Sequence, residues 1–546
     1  MKKVLVFFLI FLAGFMVFAA GGSQNQPVVQ SGSVYRADPN LNAPGVFPIA
    51  KTRVPLKIGI EAAANVENHQ TNWMTRQLEE RGNFSLTFEV YPTGERAQKV
   101  ELMVMAGGND LPDAIIGPIS MGIATKYGQA GMIIPLNMYY ENCAYWSREA
   151  AKDVDFDPLK YVTSSDGNIY GVYGINVSLN NSYSAGRINI LEPWLIKLGL
   201  KMPETTDQFL NTLRAFRDQD PNGNGIKDEI PMISFRENMQ NNYLFALMTP
   251  FIYTQMDFWL VNNGVIDVAF NKPAWREGIR YSKQLYDEGL LLPMSFTQDQ
   301  TQMTALIGPD PAKVGVVNRI SMTNLGVNDI KRSQYLAIPP LQGPGGRQSF
   351  FQMQLPDLRM IISKNCKNPE AAFRLGDLFG MEEFSLMCRW GEKGVDWLPA
   401  DASSKSSWGA LGNPMVIEIL PYGTLQNKYW GEAVPRMLTN KHSAMDIDTG
   451  DPYHVFTAMG RTIEDFVKYR NLDSVVAGLI YTDREQEIVD QYHSVILSYV
   501  RECFARFVTG DMNIDREWDS YVNEFNRMGL SQVIGAAQAA YNRMYK

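Results

Sequence analysis

Strand-like and helix-like patterns alternate near the start of the folded part of the chain, and this order constrains the fold more than any other sequence feature. Apolar residues alternate over 56–60 and 84–90, as in half-buried strands, and a short apolar run covers 114–116. Thr71 is placed to cap a helix after the first strand, and a second helical pattern covers 97–106. A β-α-β-α-β order predicts an α/β fold with a parallel sheet, helices on its faces and ligands at the carboxyl ends of the strands.

Later helices are predicted from capping residues and from apolar residues at helical spacing. One helix starts at Thr205 or Thr206, and another covers 273–288. A third has Asn368 as its cap and Pro369 in its first turn. The last begins with the capping box Thr482–Glu485 and continues to Phe507. The carboxyl-terminal region is therefore expected to be strongly helical.

The amino terminus has the pattern of a cleavable export signal. Lys2 and Lys3 precede an apolar run that ends at Phe18, before small residues, and the run is shorter than a membrane span. We therefore predict a signal peptide over residues 1–19. Gly, Ser, Gln, Asn and Pro dominate the next segment, so we expect a flexible leader over residues 20–50. No cysteine stands at the junction to carry a lipid anchor, and the predicted location is the periplasm.

Length and charge narrow the class of protein further. About 527 residues remain after the predicted cleavage, which is too many for one compact core, so two or more lobes are expected. The formal net charge is -8 and the chain has no basic runs, which argues against a nucleic-acid partner.

The catalytic motifs that a sequence can reveal are absent. The four histidines form no H-E-x-x-H, and neither G-x-S-x-G nor G-x-x-x-x-G-K-[ST] occurs. Nucleophilic and phosphoryl-transfer chemistry therefore lack support, and we expect that the chain is not an enzyme. Glycoside cleavage needs only two carboxylates, whose separation a sequence does not reveal, so a secreted glycosidase or lyase stays open as the alternative. A surface adhesin would carry repeats or an anchoring tail, and neither is found.

The four cysteines, Cys143, Cys366, Cys388 and Cys503, have no regular spacing. Cys503 falls on the apolar face of the predicted carboxyl-terminal helix. Buried thiols are favoured over disulfides, because cysteine that is not in a disulfide is usually buried.

The segment 220–229 has the pattern of a calcium loop. Oxygen-bearing side chains stand at alternate positions, and Gly223 and Gly225 permit tight turns. The predicted ligands are the side-chain oxygens of Asp220, Asn222 and Asn224, the backbone carbonyl of Ile226, and the carboxylates of Asp228 and Glu229. Because one short loop supplies every ligand, a Ca²⁺ ion here would be structural. The alternative is an ordinary Gly/Asn turn without an ion.

Several short motifs, in this order and at these spacings, resemble the family 1 extracellular solute-binding proteins, in particular the large calcium-loop-bearing subgroup that includes lipoprotein LipO and the alginate-oligosaccharide-binding proteins. They are Gly107–Asp113, Asp166–Gly171, Leu198–Thr206, Asp220–Pro231, Leu285–Leu290, Phe296–Asp299, Asn368–Ala372 and Arg389–Trp397. The resemblance covers most of the mature chain.

The resemblance implies a two-lobe periplasmic-binding-protein fold of type II, in which each lobe is a sheet flanked by helices and a hinge joins the lobes around a ligand cleft. It also implies calcium at the six loop positions, and a monomer that hands a carbohydrate, expected to be an oligosaccharide, to the permease subunits of an ABC importer in the inner membrane. Chain order then predicts one lobe at about 51–175 plus 357–430 and a second at about 176–356 plus 431–546, which holds the calcium loop and the carboxyl-terminal helices.

The sequence departs from the family pattern at two places. Relatives commonly read Arg-Lys-Asp-Trp-Leu where this chain has 191–195 as Leu-Glu-Pro-Trp-Leu. A ligand or hinge contact made by that Arg or Asp in relatives is therefore not carried over to this chain. Many relatives are also lipoproteins, and this chain lacks the junction cysteine.

Sugars present apolar faces and a rim of hydroxyl groups, so their sites pair aromatic side chains with planar polar groups. The first candidates for ligand contact are Trp73, Trp390 and Trp397, and further candidates are Tyr170, Trp146, Trp408 and Trp430. The alternative for each ring is a place in the core. Trp194 and Trp518 lie in amphipathic helices and are expected to be packing residues.

Overall fold

Two β-sheets of different strand order organise the chain in the computed structural model. The structure describes residues 35–183, 186–235, 243–318, 334–421, 423–448, 450, 457 and 460–546. The predicted signal peptide 1–19 and the predicted leader as far as residue 34 lie outside the described residues.

The strands of the described residues are β1 (Val54–Glu61), β2 (Phe84–Tyr91), β3 (Ala114–Ile119), β4 (Val172–Asn176), β5 (Ile188–Leu191), β6 (Ile230–Ile233), β7 (Trp259–Asn262), β8 (Val265–Val268), β9 (Val314–Asn318), β10 (Tyr335–Ala337), β11 (Gln342–Gly343), β12 (Gly346–Arg347), β13 (Asp357–Ile362), β14 (Trp397–Pro399), β15 (Val416–Glu418) and β16 (Met437–Leu438).

The helices of the described residues are α1 (Trp73–Gly82), α2 (Arg96–Met105), α3 (Met121–Gln129), α4 (Asn137–Asn142), α5 (Trp146–Ala150), α6 (Pro158–Val162), α7 (Leu179–Tyr183), α8 (Glu192–Lys197), α9 (Thr206–Asp218), α10 (Tyr243–Met248), α11 (Pro273–Asp287), α12 (Gln300–Ile307), α13 (Pro369–Leu378), α14 (Glu382–Trp390), α15 (Ile463–Lys468), α16 (Asp483–Thr509), α17 (Ile514–Arg527) and α18 (Leu530–Tyr545).

The first sheet has six strands in the order β16-β4-β13-β3-β1-β2. β1 runs parallel to β2 and to β3, as the alternation of patterns predicted. β13 enters antiparallel between β3 and β4. Leu56, Ile58 and Ile60 of β1 are buried, because helices cover the sheet.

The second sheet has four strands in the order β10-β5-β9-β6. β6 and β9 are parallel, and β5 runs antiparallel to β9 and to β10. A large apolar core joins this sheet to α9, α11 and the long helices α16, α17 and α18. Trp194 and Trp518 are part of this core, so their predicted packing role is confirmed.

Each sheet with its helices forms one lobe, which we call the first and the second lobe. The first sheet takes its strands from 54–176 and 357–438, and the second from 188–337. The described strands therefore imply two crossover segments between the lobes, at about 177–187 and 338–356. A third, at about 439–482, leads from β16 to α16, which packs in the core of the second lobe. The exact lobe boundaries stay a prediction.

Most of the predicted helix starts match the structure, and two caps do not. The Thr205 side chain caps α9, and Thr482 and Glu485 form the capping box of α16. The cap of α1 is Asn72 and not Thr71, because the Asn72 side chain accepts a hydrogen bond from the amide of Met74. Asn368 precedes α13 but makes no capping hydrogen bond.

The predicted flexible leader is shorter than expected, because residues 37–50 pack against the first lobe. Ile49 and Ala50 are buried. The guanidinium of Arg374 donates hydrogen bonds to the carbonyl oxygens of Asn42 and Ala43 at 2.5 and 3.0 Å. A low-complexity composition did not reveal these tertiary contacts.

Three of the four cysteines, Cys143, Cys388 and Cys503, are buried as thiols, and Cys366 is half-buried. The preference for buried thiols is thus confirmed for these three. Within the described ranges, no helix combines the length and the apolar character needed to cross a bilayer.

Candidate functional site

Charged side chains gather where the parallel strands of the first sheet end. Arg96, at the start of α2, donates a hydrogen bond from Nη2 to the carbonyl oxygen of Pro118 at 2.6 Å, and its Nε lies 3.6 Å from Oε2 of Glu61. Gly117 makes room for this arrangement, because a Cβ at that position would lie 2.6 Å from Cζ of Arg96. The carboxyl edge of the sheet thus carries a fixed and partly buried cation.

A second charged cluster lies in the same lobe. Glu432 forms ion pairs of 3.1 Å with both Arg389 and Arg436. Burial alone would raise the pKa of Glu432, but the charges of Arg436 and Arg389 hold it below its usual range. Partly buried charges of this kind cost desolvation energy, which the ion pairs offset in part.

A groove runs between the two lobes beside the crossover segments, and we call it the crossover groove. It consists of two adjoining cavities of 710 and 470 Å³ that share Leu355, Pro356, Gly478, Leu479 and Tyr481. Residues of α3 and of 161–165 line the larger cavity on the side of the first lobe. The segment 478–490, which leads into α16, lines it on the side of the second lobe.

Asp483 connects the lobes at the rim of the larger cavity. Its carboxylate accepts hydrogen bonds from Oγ of Ser165 at 3.0 Å and from Nε2 of Gln129 at 3.4 Å. Nearby, the ammonium group of Lys160 lies 4.9 Å from the ring centre of Tyr545 in the last helix. Exposed polar contacts such as these are weak, so they can break and re-form when the lobes move.

The structure places five of the seven predicted ligand aromatics in packing environments. Four of them satisfy their polar group inside the protein. Their partners are Asp166 for Tyr170, Gly391 for Trp397, Asp446 for Trp408 and Thr75 for Trp430. The fifth, Trp390, is buried beside Trp397 in a small apolar cluster. A ligand role for these five rings stays a prediction, and their contacts in this structure are with protein.

Trp73 and Trp146 are half-buried. Trp73 begins α1, and its backbone amide donates to the carbonyl oxygen of Asn427 at 3.0 Å. Trp146 stacks on Phe47 with ring centres 5.9 Å apart. Trp73 therefore keeps the better position for a solute, since it follows β1 at the carboxyl edge of the sheet, whereas the ring of Trp146 packs on residue 47.

The residues of the crossover groove were missed by the sequence reasoning, although one signal was present. The run Phe350–Gln354 places glutamines at alternate positions next to an aromatic pair, and both Gln352 and Gln354 line the smaller cavity. Alternate residues of an extended segment share one face. Asp257 and Trp259 gave no such signal, because only tertiary packing brings them to the crossover.

The segment 220–229 follows α9 and is shaped by its own side chains. Gly223 and Gly225 have φ of +78° and +76°, a left-handed conformation that favours glycine. The Asp220 carboxylate accepts hydrogen bonds from the amides of Gly225 at 2.9 Å and Gly223 at 2.6 Å, which hold its pKa below the usual range.

The remaining polar groups of the loop converge on Asp228. Nδ2 of Asn224 and Nδ2 of Asn222 donate to Oδ1 of Asp228 at 3.0 and 3.3 Å. Nζ of Lys313 lies 2.6 Å from Oδ2 and, with these donors, holds the pKa of Asp228 low. The side chain of Ile226 is exposed, so its predicted role rests on its backbone carbonyl alone.

Glu229 carries a buried carboxylate at the end of this loop. Both of its carboxylate oxygens are buried, and neither meets a hydrogen-bond donor of adequate geometry among the described residues. Burial raises its pKa, and the charges of Asp220 and Asp228 raise it further. Buried anionic oxygens without donors are costly, so the residues present fit a cation. In the described part of the chain, no group of three or more His, Cys, Asp or Glu could hold a metal alone. The amide and carbonyl oxygens would therefore be needed as well.

Comparison with known proteins places the chain in a family. Residues 73–379, more than half of the sequence, match the sequence profile of the bacterial extracellular solute-binding proteins. The chain belongs to this family, and the resemblance drawn from its motifs is confirmed.

Individual relatives agree with this assignment. The chain is 25% identical over 572 residues to the fructooligosaccharide ABC transporter substrate-binding protein FusA of Streptococcus pneumoniae, covering 97% of this chain and 96% of FusA. It is 27% identical over 266 residues to lipoprotein LipO of Bacillus subtilis, covering 45% of this chain and 48% of LipO. A solute-binding protein from Bifidobacterium longum infantis, described as HMO-binding, superposes with a TM-score of 0.75 at 19% identity, over 90% of this chain and 99% of that one. The fold is therefore the two-lobe fold of solute-binding proteins.

The burial of His69, which lies just before α1, makes stability depend on pH. Burial lowers the pKa of His69 to about 4, whereas an unperturbed histidine titrates near 6.5. Its contribution to stability is therefore complete above about pH 6.5 and is lost as the pH falls towards 4. The phenylalanine ring of a His69→Phe variant can pack near Phe88 and Trp430. We expect the stability of this variant to depend less steeply on pH than that of the wild type.

Urea unfolding between about pH 7 and about pH 4 measures the effect as the change in the free energy of unfolding. Burial also lowers the pKa of His442 to about 4, so the free energy of unfolding of the variant should still fall in part as the pH is lowered. Identical slopes for the wild type and the variant would contradict this account.

Proposed function

We propose that this protein is a monomeric, extracytoplasmic binding protein of an ABC importer that captures an oligosaccharide between its lobes and delivers it, chemically unchanged, to the permease. The observation that carries the proposal is the crossover groove, whose walls come from both lobes. Family membership supports the class, and the relative FusA, described as binding fructooligosaccharide, supports a carbohydrate ligand.

The lining of the groove suits a hydroxyl-rich solute. Tyr161 and Tyr481 offer aromatic faces, and Gln129 and Gln486 offer planar amides that both donate and accept hydrogen bonds. A solute that contacts both lobes favours the closed arrangement by its differential affinity for the two states. The permease would then distinguish the loaded protein from the empty one by its shape.

Isothermal titration with a panel of oligosaccharides tests the binding role. We expect saturable binding to one site per chain with an unaltered sugar recovered after prolonged incubation. Cleavage of any sugar in the panel at a rate above the spontaneous one would contradict the proposal and support the glycosidase or lyase alternative.

We propose in addition that the loop 220–229 binds a structural Ca²⁺ ion. The mixed carboxylate, amide and carbonyl oxygens, the two glycine turns and the buried carboxylate of Glu229 support this. The ion would neutralise Asp220, Asp228 and Glu229 and fix the turn that follows α9. The groove is lined by other segments, so no contact between this ion and the solute is proposed.

Thermal unfolding in Ca²⁺ and in EDTA tests the ion. An ion present at about a hundred times its Kd adds about 2.7 kcal/mol to the stability of the folded state, so Tm should rise by several degrees. A Glu229→Gln variant should lose most of this increment. An Asp218→Asn variant, which changes an exposed acid just outside the loop, should keep it. Equal Tm values for the wild type in Ca²⁺ and in EDTA would contradict a structural ion.

A further inference from the structure

The chain adopts an unusual backbone conformation at the smaller cavity of the crossover groove. Asp257 has φ 58° and ψ 12°, and the next residue, Phe258, has φ 59°. Left-handed conformations are uncommon for residues other than glycine, and aspartate and asparagine tolerate them best. Such strain persists only where the surroundings hold it, and here it directs an acidic residue into a cavity between crossover segments.

We call this 470 Å³ cavity the crossover pocket. Its lining includes Asp257 and Trp259 from the second lobe, Phe351, Gln352 and Gln354 from the second crossover segment, and Tyr481 from the third. The walls therefore combine aromatic rings with a carboxylate and two amides, the mixture that recognises a sugar ring.

Hydrogen bonds hold the walls of the crossover pocket together before any solute arrives. Nε2 of Gln255 donates to the carbonyl oxygens of Trp259 and Ser474 at 2.9 and 3.2 Å, and its Oε1 accepts from the amide of Val476 at 2.9 Å. The backbone amide of Gln352 donates to the carbonyl oxygen of Ser182 at 2.8 Å. Preorganised walls reduce the entropy lost when a ligand binds.

The carboxylate of Asp257 is partly buried, and no hydrogen-bond donor among the described residues reaches it. Burial raises its pKa, and the charges of His493 and Arg501 oppose that shift, yet within the described ranges neither of them forms an ion pair with Asp257. The nearby Tyr481 has its pKa raised by burial and by the charge of Asp257. A partly buried acceptor of this kind is stabilised by any solute that brings hydroxyl donors.

The charge of the groove limits which solutes can enter. The larger cavity is lined by Asp483, Glu487 and Asp490 against one cation, Lys126. The crossover pocket adds Asp257, and also Asp357, whose charge Arg359 offsets in an ion pair of 2.7 Å. Bringing an anionic sugar next to these groups costs energy through like-charge contact, whereas a neutral sugar meets no such penalty.

We propose that the crossover pocket is a subsite for one ring of a neutral oligosaccharide, in which the Asp257 carboxylate accepts hydrogen bonds from the hydroxyl groups and the half-buried Phe351 packs against the ring. The adjoining cavity takes the following rings. This assignment rests on the proposed function. It specifies in addition that the solute is neutral and that Asp257 favours it over an anionic one.

The test compares three single variants by isothermal titration. The probes are fructo-oligosaccharides of three to five rings, maltotriose and trigalacturonate. Asp257→Asn keeps the size of the side chain and tolerates the left-handed backbone, but it removes the charge. Gln352→Ala removes an amide from the wall of the pocket. Asp473→Asn is the matched control, because Asp473 is an exposed acid in the third crossover segment outside the pocket lining.

We expect the wild type to bind at least one neutral probe and to bind trigalacturonate far more weakly. Asp257→Asn should weaken neutral binding about tenfold or more, because a hydrogen bond to a charged acceptor is lost. Gln352→Ala should weaken it several-fold, Asp473→Asn should leave it unchanged, and all three variants should keep the wild-type melting temperature.

Two results would overturn the subsite. One is unchanged neutral-sugar affinity in Asp257→Asn, and the other is tighter binding of trigalacturonate than of every neutral probe. In both cases the proposed function would stand, since an oligosaccharide still binds. Binding of none of the probes would instead overturn the proposed function, and the subsite with it.

Discussion

The passage of the chain between two lobes at the three crossover segments is the constraint on which the rest of the structure depends. Each lobe has its own sheet and core, so each can be stable while the segments between them adjust. Gln255 links the strand pair β7–β8 of the second lobe to the third segment through hydrogen bonds to residues 474 and 476. Asp483 reaches the first lobe through Ser165 and Gln129. The space enclosed by these links is the groove, so the binding surface follows from the connectivity.

The sequence predicted those parts of the fold that local patterns specify. The parallel order of the first three strands followed from apolar alternation, and the capping box at Thr482 located the start of the longest helix. At the start of α1 two neighbouring polar residues were both able to cap, and the side chain of Asn72 reaches the helix while that of Thr71 does not. Which of two neighbouring polar residues caps a helix depends on the local backbone geometry, which the composition of the segment does not reveal.

The candidate site was harder to predict, because aromatic rings serve two purposes. The sequence made Trp408 and Trp430 candidates for contact with a sugar. In the structure each donates its indole N–H to a protein acceptor inside the fold. A buried tryptophan needs such an acceptor, so polar neighbours in the sequence do not separate the two roles. The left-handed backbone of Asp257 and the crossing of segments around it arise only when both lobes are assembled.

The central claim is that the two lobes close around a solute held at the crossover segments. Small-angle X-ray scattering of the mature protein, with and without a saturating oligosaccharide identified by calorimetry, measures this most directly. The account predicts that the radius of gyration falls when the sugar is bound, because closure brings the lobes together. An unchanged radius of gyration at full occupancy would contradict a hinged, closing pair of lobes.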